Sequence, residues 1–379
     1  MISIEAIQNY HYDLSKAKAL SFISSEIVDE VLQFHKSIGN KKTPLIKLSG
    51  LAGDLGVQSI FVKDDSHRLD LNAFKGLGAS YAMSKQLEKN SKIEVFCTAT
   101  DGNHGKAVAW MAKKLGKKAV IYMPKGTVSD RVESIEKEGA KVHVIDEGYD
   151  AAVKKAHDKV ESFKDNKSWC LIQDTAWDGY EEIPTDIMRG YLTQAHEITE
   201  QIKDEKIDII FLQSGVGSWA ASILMYIFSF WKTSPLFISV EPHSANCLFK
   251  SIQSSKRVSV NSNETTAMAG LDCGTVSTVA WDILKHGIFA SVSIADSLME
   301  EAVRVLAHPL KEDSLVKSGE SGASSLAALI GLLRSNQLDA FNSRIKLNNS
   351  SNILLINTEG DTDQVNYNRI LSSSENQGS

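Results

Sequence analysis

A chain of 379 residues, 42% of them hydrophobic and 23% charged, has ample length to bury the cores of about two domains. Its net charge of −6 argues against nucleic acid as a partner, because proteins that bind phosphate backbones concentrate positive charge. The N-terminus lacks the basic and apolar segments of a signal peptide, and no apolar run approaches the ~18 residues of a membrane span. We therefore expect a cytoplasmic protein that binds small molecules, with no membrane or nucleic-acid partner.

Short runs rich in Val, Ile and Phe alternate along the chain with longer segments of helical periodicity. In chain order, the predicted strands are SIFVKD (59–64), VFCTAT (95–100), AVIYM (119–123), KVHVID (141–146), WCLIQD (169–174), IDIIFLQ (207–213), LFISVEP (236–242) and NILLINTEG (352–360). The predicted helices include one over 71–88, one from Asn103 to a stop at Gly116, and one after Ser129 that stops at Gly139. This alternation predicts an α/β fold with mostly parallel sheets.

Polar stretches that contain glycine follow three of these predicted strands. TATDGNHG ends the second strand, QSGVGS ends the sixth and NTEGDTD ends the eighth. Parallel sheets bind their ligands at the carboxyl ends of the strands, so we expect the chemistry of the protein at these three points.

One lysine, Lys75, lies in the stretch LNAFKGLGASYA, which contains no acidic residue. In a helix over this stretch, Lys75 shares a face with Leu71, Gly78 and Ala79, which are apolar or small. Burial on such a face disfavours the ammonium form and lowers the pKa of the amine, which suits a nucleophile that forms a Schiff base. The alternative is a surface lysine whose aliphatic stem covers apolar neighbours.

The turn QSGVGSWAAS could bind a phosphate group. Gly215 and Gly217 stand between a predicted strand and a predicted helix, where bare backbone amides can point at an anion. The stretch lacks the lysine of a P-loop, and Ala220 replaces the third glycine of a dinucleotide fingerprint, so neither motif is predicted. A glycine turn without a ligand is the alternative.

The turn TATDGNHGKAVAW could bind a carboxylate. Gly102 and Gly105 flank Asn103 and His104 at the start of a predicted helix, where free amides favour an anion. Asp101 stands beside them, and its simpler interpretation is a cap on that helix.

Lys75 in NAFKGLGAS, Asn103 in TDGNHG and the QSGVGS loop, taken together and in this order, resemble the fold type II pyridoxal 5′-phosphate (PLP) enzymes, the tryptophan synthase β-subunit-like family. Further strings between residues 62 and 363 are similar to those of the diaminopropionate ammonia-lyases in that family; they are VKDDS, YMPKG, QDTAWDGY, TAMAGLDCG, SGESGA and NTEGDTD. The resemblance implies PLP as the cofactor and Lys75 as its Schiff-base lysine.

The same resemblance implies the architecture and assembly of the protein. It implies two doubly wound α/β domains: a discontinuous large domain from residues 1–75 and 191–379 that binds PLP, and a small domain from residues 76–190. It also implies a homodimer.

The activity implied by the resemblance is an α,β-elimination. 2,3-Diaminopropionate loses its β-amino group as ammonia, and the remaining fragment hydrolyses to pyruvate and a second ammonia. Lys75 takes the α-proton of the L enantiomer and Asp101 that of the D enantiomer, because a carboxylate can act as a base from the opposite face. Asp174, in QDTAW, is the second acid and helps bind the β-amine.

Other site residues follow from positions that match the family. The predicted cofactor-binding residues are Phe74, Lys75, Asn103, Gly215, Val216, Gly217, Ser218 and Thr358. The predicted substrate-binding residues are Thr100, Asp101, Gly102, Asn103, His104 and Asp174. Among these, the glycine loop holds the phosphate, Asn103 the phenolic oxygen of the ring, and Thr100 the substrate carboxylate. No metal is expected.

Thr358 falls where related deaminases place a hydroxyl beside the pyridine nitrogen. A hydroxyl there leaves the nitrogen unprotonated, and the weaker electron sink suits elimination. Glu359 and Asp361 are close in sequence and could reach the nitrogen or face solvent. Cys247 and Cys273 match two cysteines that can pair as a disulfide in bacterial members, although a cytoplasmic protein favours reduced thiols.

Two alternatives stay open. A serine or threonine dehydratase of the same fold would need no acid at positions 101 and 174, and both acids are present here. A non-catalytic relative that binds amino acids would not need the lysine, the glycine loop and the TDGNHG turn together. The sequence also departs from the family at Trp219, where smaller residues are usual.

Overall fold

Two α/β units make up this protein, as seen in a computed structural model that describes residues 3–100, 102–203, 205–261 and 264–373. The first unit comprises the ranges Met1–Ile23, Lys42–His67 and Gln194–Ser379. The second unit comprises the ranges Ser24–Lys41 and Arg68–Thr193. Each unit is built on its own β-sheet, which confirms the predicted fold class.

The strands of the described chain are β1 (Ile4–Gln8), β2 (Leu45–Lys47), β3 (Ser59–Asp64), β4 (Val95–Ala99), β5 (Lys118–Met123), β6 (Lys141–Val144), β7 (Trp169–Leu171), β8 (Ile209–Gln213), β9 (Leu236–Pro242), β10 (Ala290–Ile294) and β11 (Asn352–Asn357). The helices of the described chain are α1 (Leu14–Ala19), α2 (Ser25–Ser37), α3 (Ser49–Leu55), α4 (Lys75–Lys89), α5 (Asn103–Lys114), α6 (Ser129–Glu136), α7 (Tyr149–Glu161), α8 (Glu182–Gly190), α9 (Leu192–Ile202), α10 (Ser218–Phe230), α11 (Cys247–Ser254), α12 (Thr278–Gly287), α13 (Asp296–Ala307), α14 (Glu320–Arg334), α15 (Asp339–Arg344) and α16 (Gln364–Ser372). In the described ranges, no helix is both long enough and apolar enough to cross a membrane.

The sheet of the first unit has the strand order β1-β10-β9-β8-β11-β3-β2. Its inner strands run parallel, whereas β1 and β2 pair antiparallel at the two edges. Strands β3 and β8 are buried along their whole length, as expected for parallel strands that are covered on both faces. Helix α14, which is buried on all sides from Glu320 to Leu332, packs on this sheet and fills the core.

The sheet of the second unit has the order β6-β5-β4-β7, and all of its pairs are parallel. The carboxyl ends of β4 and β7 point to the same edge of the sheet, because the strands are parallel and Leu171, the last residue of β7, pairs with Cys97, two residues before the end of β4. The stretches TATDGNHG and QDTAW, which follow these two strands, therefore leave the sheet at the same edge.

Three strands, β1, β2 and β10, were not predicted. The first two are short edge strands, and β10 reads ASVSI, in which serines occupy buried positions. The buried serines find polar partners inside the sheet: Ser239 on β9 donates a hydrogen bond to Ser291 on β10 at 2.8 Å. A buried strand that contains serines is therefore not detected when strands are predicted from apolar runs.

Helix α4 begins at Lys75, and the prediction that it begins at residue 71 was wrong. Leu69, Asp70 and Asn72 have φ values of 54°, 59° and 59°, which a right-handed helix cannot contain. Leu71 is therefore not on the helical face of Lys75. Gly78 and Ala79 are, because they lie one turn further along α4.

Candidate active site

The amine of Lys75 forms an ion pair with a carboxylate. Lys75 is the first residue of α4, and its Nζ lies 2.5 Å from Oδ2 of Asp174, which comes three residues after β7. The Lys75 side chain is 19% exposed and that of Asp174 is 8% exposed. The stretch around Lys75 has no acid in sequence, but the fold provides one from 99 residues further along the chain.

Asp174 is ionised at neutral pH. Burial alone would raise the pKa of its carboxyl, but the positive charge of Lys75 and the hydrogen bond from its ammonium outweigh that effect and lower the pKa of Asp174 to about 2. A fixed negative charge with little solvent around it is a strong site for an ammonium group.

The TDGNHG turn is organised by Thr100. The Thr100 hydroxyl accepts hydrogen bonds from the backbone N–H groups of Gly102 at 2.9 Å and Gly105 at 3.2 Å. Asn103 begins α5 directly after this turn. In this arrangement the Thr100 hydroxyl still has its own proton to donate, which is compatible with the predicted contact with a substrate carboxylate. That contact stays a prediction. Asp101 lies outside the described residues.

His104 stands beside the charged pair with a free ring nitrogen. Its Nε2 donates to the carbonyl oxygen of Ile172 at 2.7 Å, which leaves Nδ1 as the unprotonated nitrogen of a neutral ring. Burial lowers the pKa of His104; the charge of Asp174 opposes this and that of Lys75 adds to it. The buried Nδ1 atom has no hydrogen-bond partner among the described residues.

Tyr191 is a residue that sequence reasoning missed. Its ring lies 5.0 Å from that of Phe74, and Lys75 Nζ lies 5.4 Å from the Phe74 ring, so the three side chains form one cluster. The charges of Lys75 and Asp174 both act on the Tyr191 hydroxyl. No sequence pattern pointed to Tyr191, because its contact with α4, where a Cβ on Gly78 would lie 2.5 Å from Tyr191 Cε1, arises only from the packing of the helices.

The glycine loop of the first unit joins β8 to α10. Gly217 has a φ of 88° and immediately precedes Ser218, the first residue of α10, so the chain turns into the helix through a conformation that favours glycine. The loop is held by the Ser277 N–H, which donates to Val216 O at 2.9 Å. The Ser214 hydroxyl, also missed in the sequence, is buried there without a hydrogen-bond partner among the described residues.

Thr358 lies next to the end of β8 in the same unit. The side-chain amide of Gln213 donates to the Thr358 hydroxyl at 3.0 Å and to Ile356 O at 2.8 Å. Because the Thr358 oxygen accepts this bond, its own proton is available for another acceptor.

The two acids near Thr358 are engaged elsewhere. The Glu359 carboxylate accepts the backbone N–H of Ser321 at 2.9 Å, at the start of α14, and Asp361 pairs with Lys317 at 3.2 Å. These contacts favour Thr358 over either acid as the group that would meet a ring nitrogen.

Cys247 and Cys273 flank the glycine loop as thiols that do not form a disulfide. The Cys247 thiol lies 3.9 Å from Gly215 O, and a Cβ on Gly215 would lie 3.1 Å from Cys273 Sγ. Both side chains are buried.

Trp219, the unusual residue after the loop, belongs to a buried hydrogen-bond chain. Its indole N–H donates to Gln194 Oε1 at 2.7 Å, and Gln194 Nε2 donates to Asp65 Oδ2 at 2.8 Å. Thr43 donates to the other oxygen of Asp65 at 2.6 Å. The large side chain therefore anchors the first turn of α10 to the core of the first unit.

Comparisons with known proteins relate nearly the whole chain to one group of enzymes. A family model described as pyridoxal-phosphate dependent enzyme matches residues 36–358. A diaminopropionate ammonia-lyase of Salmonella typhimurium is 41% identical over 93% of this chain and 94% of its own length. Another, from Escherichia coli, is 38% identical over 89% of each chain. The crystal structure of the Escherichia coli diaminopropionate ammonia lyase in complex with an aminoacrylate-PLP azomethine reaction intermediate has a TM-score of 0.91 and 36% identity, and the match covers 99% of this chain and 98% of that one.

Proposed function

The chain belongs to the family of pyridoxal-phosphate dependent enzymes, and from this membership we propose that it is an ammonia-lyase that converts 2,3-diaminopropionate and water into pyruvate and two molecules of ammonia. The activity named for its relatives, over nearly the full length of both chains, supports this function. The observation in the structure that carries the proposal is the ion pair of Lys75 and Asp174, which puts a nucleophilic amine and an ammonium-binding carboxylate side by side.

The residues present fit the cofactor. Lys75 would hold PLP covalently through Nζ, and the loop from Gly215 to Ser218 would hold the phosphate at the N-terminus of α10. The Ser214 hydroxyl nearby is buried and has no hydrogen-bond partner in the described part of the chain. When bound, PLP supplies an electron-withdrawing ring that stabilises negative charge at the α-carbon of the substrate. Phe74 and Asn103 would contact the ring, and Thr358, with its proton free to donate, would bond the pyridine nitrogen without protonating it.

Asp174 accounts for the choice of a diamine. Its carboxylate is charged throughout the neutral range, because its pKa is about 2, and it would bind the β-ammonium of 2,3-diaminopropionate. Once the substrate has displaced Lys75 from the cofactor, its β-ammonium would occupy Asp174 and keep that carboxylate from pairing with the Lys75 amine. A Lys75 amine without that pairing loses its proton more readily, which is what a base for the α-proton of the L enantiomer requires.

The remaining roles follow the family positions. Asp101 would take the α-proton of the D enantiomer, and Thr100, Gly102, Asn103 and His104 would bind the substrate carboxylate. We also propose that the protein is a cytoplasmic homodimer, and that the large domain predicted from residues 1–75 and 191–379 carries PLP while residues 76–190 form the small domain.

A substrate panel tests the function. The purified protein with added PLP is given L- and D-2,3-diaminopropionate, L-serine and L-threonine, and the release of 2-oxo acid and of ammonia is measured. We expect kcat/KM to be highest for diaminopropionate, with two molecules of ammonia for each pyruvate. A tenfold preference for threonine, which corresponds to ~1.4 kcal/mol of transition-state stabilisation, would replace this function with that of a dehydratase.

A further inference from the structure

We propose that Tyr191 is a substrate-binding residue whose hydroxyl accepts a hydrogen bond from the β-ammonium of the substrate, beside Asp174, and so favours a diamine over a β-hydroxy amino acid. This inference rests on the proposed function and adds a specificity determinant to it. It is drawn from four observations within the second unit: the close approach of two helices, the burial of the hydroxyl, its unsatisfied hydrogen-bonding capacity and the charges around it.

Two glycines bring the Tyr191 ring against α4. Gly190 is the last residue of α8, and a Cβ there would lie 2.5 Å from Leu77 O and 2.7 Å from Gly78 Cα, so the two helices touch through their backbones. At Gly78 a Cβ would lie 2.6 Å from Cζ of Tyr191, the carbon that bears the hydroxyl. Gly78 is three residues after Lys75, which places the phenol end of Tyr191 on the Lys75 side of α4.

The hydroxyl of Tyr191 is buried without a partner. The residue is 1% exposed, and its oxygen makes no hydrogen bond with any described residue. Burial raises the pKa of Tyr191 above its ordinary value, so the phenol stays neutral at any pH at which the protein works. A buried hydroxyl without a hydrogen-bond partner lowers the stability of the fold. Such a group is expected at a site where a ligand supplies the missing hydrogen bond.

The surroundings of Tyr191 suit an ammonium group. An ammonium has three N–H donors. The Asp174 carboxylate lies 2.5 Å from Lys75 Nζ, the Phe74 ring faces the same nitrogen at 5.4 Å, and the Tyr191 ring packs on Phe74 with its hydroxyl in the field of both charges. A substrate hydroxyl offers a single donor and no charge, so it gains much less from these three groups than a β-ammonium does.

Tyr191→Phe is the decisive variant, because it keeps the ring that packs against Gly78 and removes only the oxygen. We expect kcat/KM for L-2,3-diaminopropionate to fall at least tenfold, mainly through KM, while kcat/KM for L-serine changes by less than about twofold. We also expect the Tm to be unchanged or raised, because the variant removes a buried oxygen that has no hydrogen-bond partner within the described ranges. The matched control is Tyr81→Phe, which removes a hydroxyl of α4 that donates to Glu30 at 3.0 Å, and both kcat/KM values should stay unchanged in it.

The outcomes separate this inference from the proposed function. Release of pyruvate and two molecules of ammonia by the wild-type holoenzyme tests the function alone. In Tyr191→Phe, equal losses on diaminopropionate and serine, a lowered Tm, or no loss on either substrate would each overturn the role of Tyr191. As a readout without turnover, the Kd of L-alanine, followed by the visible absorbance of the holoenzyme, should stay within about twofold, because alanine has no β-substituent; a larger change also contradicts the proposal.

Discussion

Replacing Asp174 with asparagine tests the carboxylate at the centre of the site. The substitution keeps the size of the side chain and removes one negative charge, which lies 2.5 Å from Lys75 Nζ with the side chain 8% exposed. If this charge binds the β-ammonium, diaminopropionate loses a charge-assisted hydrogen bond, whereas serine, which has no β-charge, does not. Any effect of the substitution on Lys75 should lower kcat/KM for both substrates equally.

The size of the effect follows from the type of bond. A hydrogen bond to a charged group contributes about 1.5–3 kcal/mol, and every ~1.4 kcal/mol is tenfold, so kcat/KM for diaminopropionate relative to serine should fall by about 10–150-fold. The pKa of Asp174 is about 2, so this residue stays ionised between pH 6 and 9. The wild-type preference for diaminopropionate over serine should therefore show no pH dependence from Asp174 in that range.

The assay is 2-oxo acid release from L-diaminopropionate and L-serine by wild type and Asp174→Asn, with Asp186→Asn as the matched control. Asp186 is another buried acid of the second unit, paired with Arg189 at 2.9 Å, and its loss should leave the ratio of the two kcat/KM values unchanged. Equal losses on both substrates in Asp174→Asn would refute the assignment of Asp174 to the β-amine and leave it only the role of partner to Lys75.

Further predictions concern the cofactor, the second base and the glycine loop. Lys75→Ala should abolish 2-oxo acid release. It should also abolish covalent attachment of the cofactor, seen as loss of the near-ultraviolet absorbance that borohydride-reduced wild type retains after denaturing gel filtration; retention of either excludes Lys75 as the attachment point. Asp101→Asn should spare elimination from L-diaminopropionate and cripple it from the D enantiomer, and equal loss on both would contradict the two-base scheme. Gly217→Ala puts a Cβ on a residue with a φ of 88°, 2.8 Å from Leu284 Cδ1. It should therefore lower the free energy of unfolding by about 1–2 kcal/mol and weaken PLP binding to the apoenzyme. Gly53→Ala is the control and should do neither, because a Cβ there meets nothing within 4 Å.

Much of the fold could be predicted because its inner strands are apolar runs. SIFVKD and LFISVEP match β3 and β9 end to end, since central parallel strands are buried on both faces and tolerate few breaks. The edge strand β2 and the serine-rich β10 escaped prediction because their burial depends on neighbouring strands. The start of α4 was also misplaced, because the positive φ values before Lys75 are imposed by packing and not by residue type.

The amino-acid sequence by itself determined the alternation of strands and helices, the glycine turns after β4 and β8, and the lysine that the family resemblance singles out. These features are local: each is set by residues within a few positions of one another. Only the tertiary structure decided that Lys75 meets Asp174 across 99 residues, and that Gly78 and Gly190 admit the buried ring of Tyr191. Such contacts depend on how helices and strand ends pack in space, and no spacing along the chain encodes them.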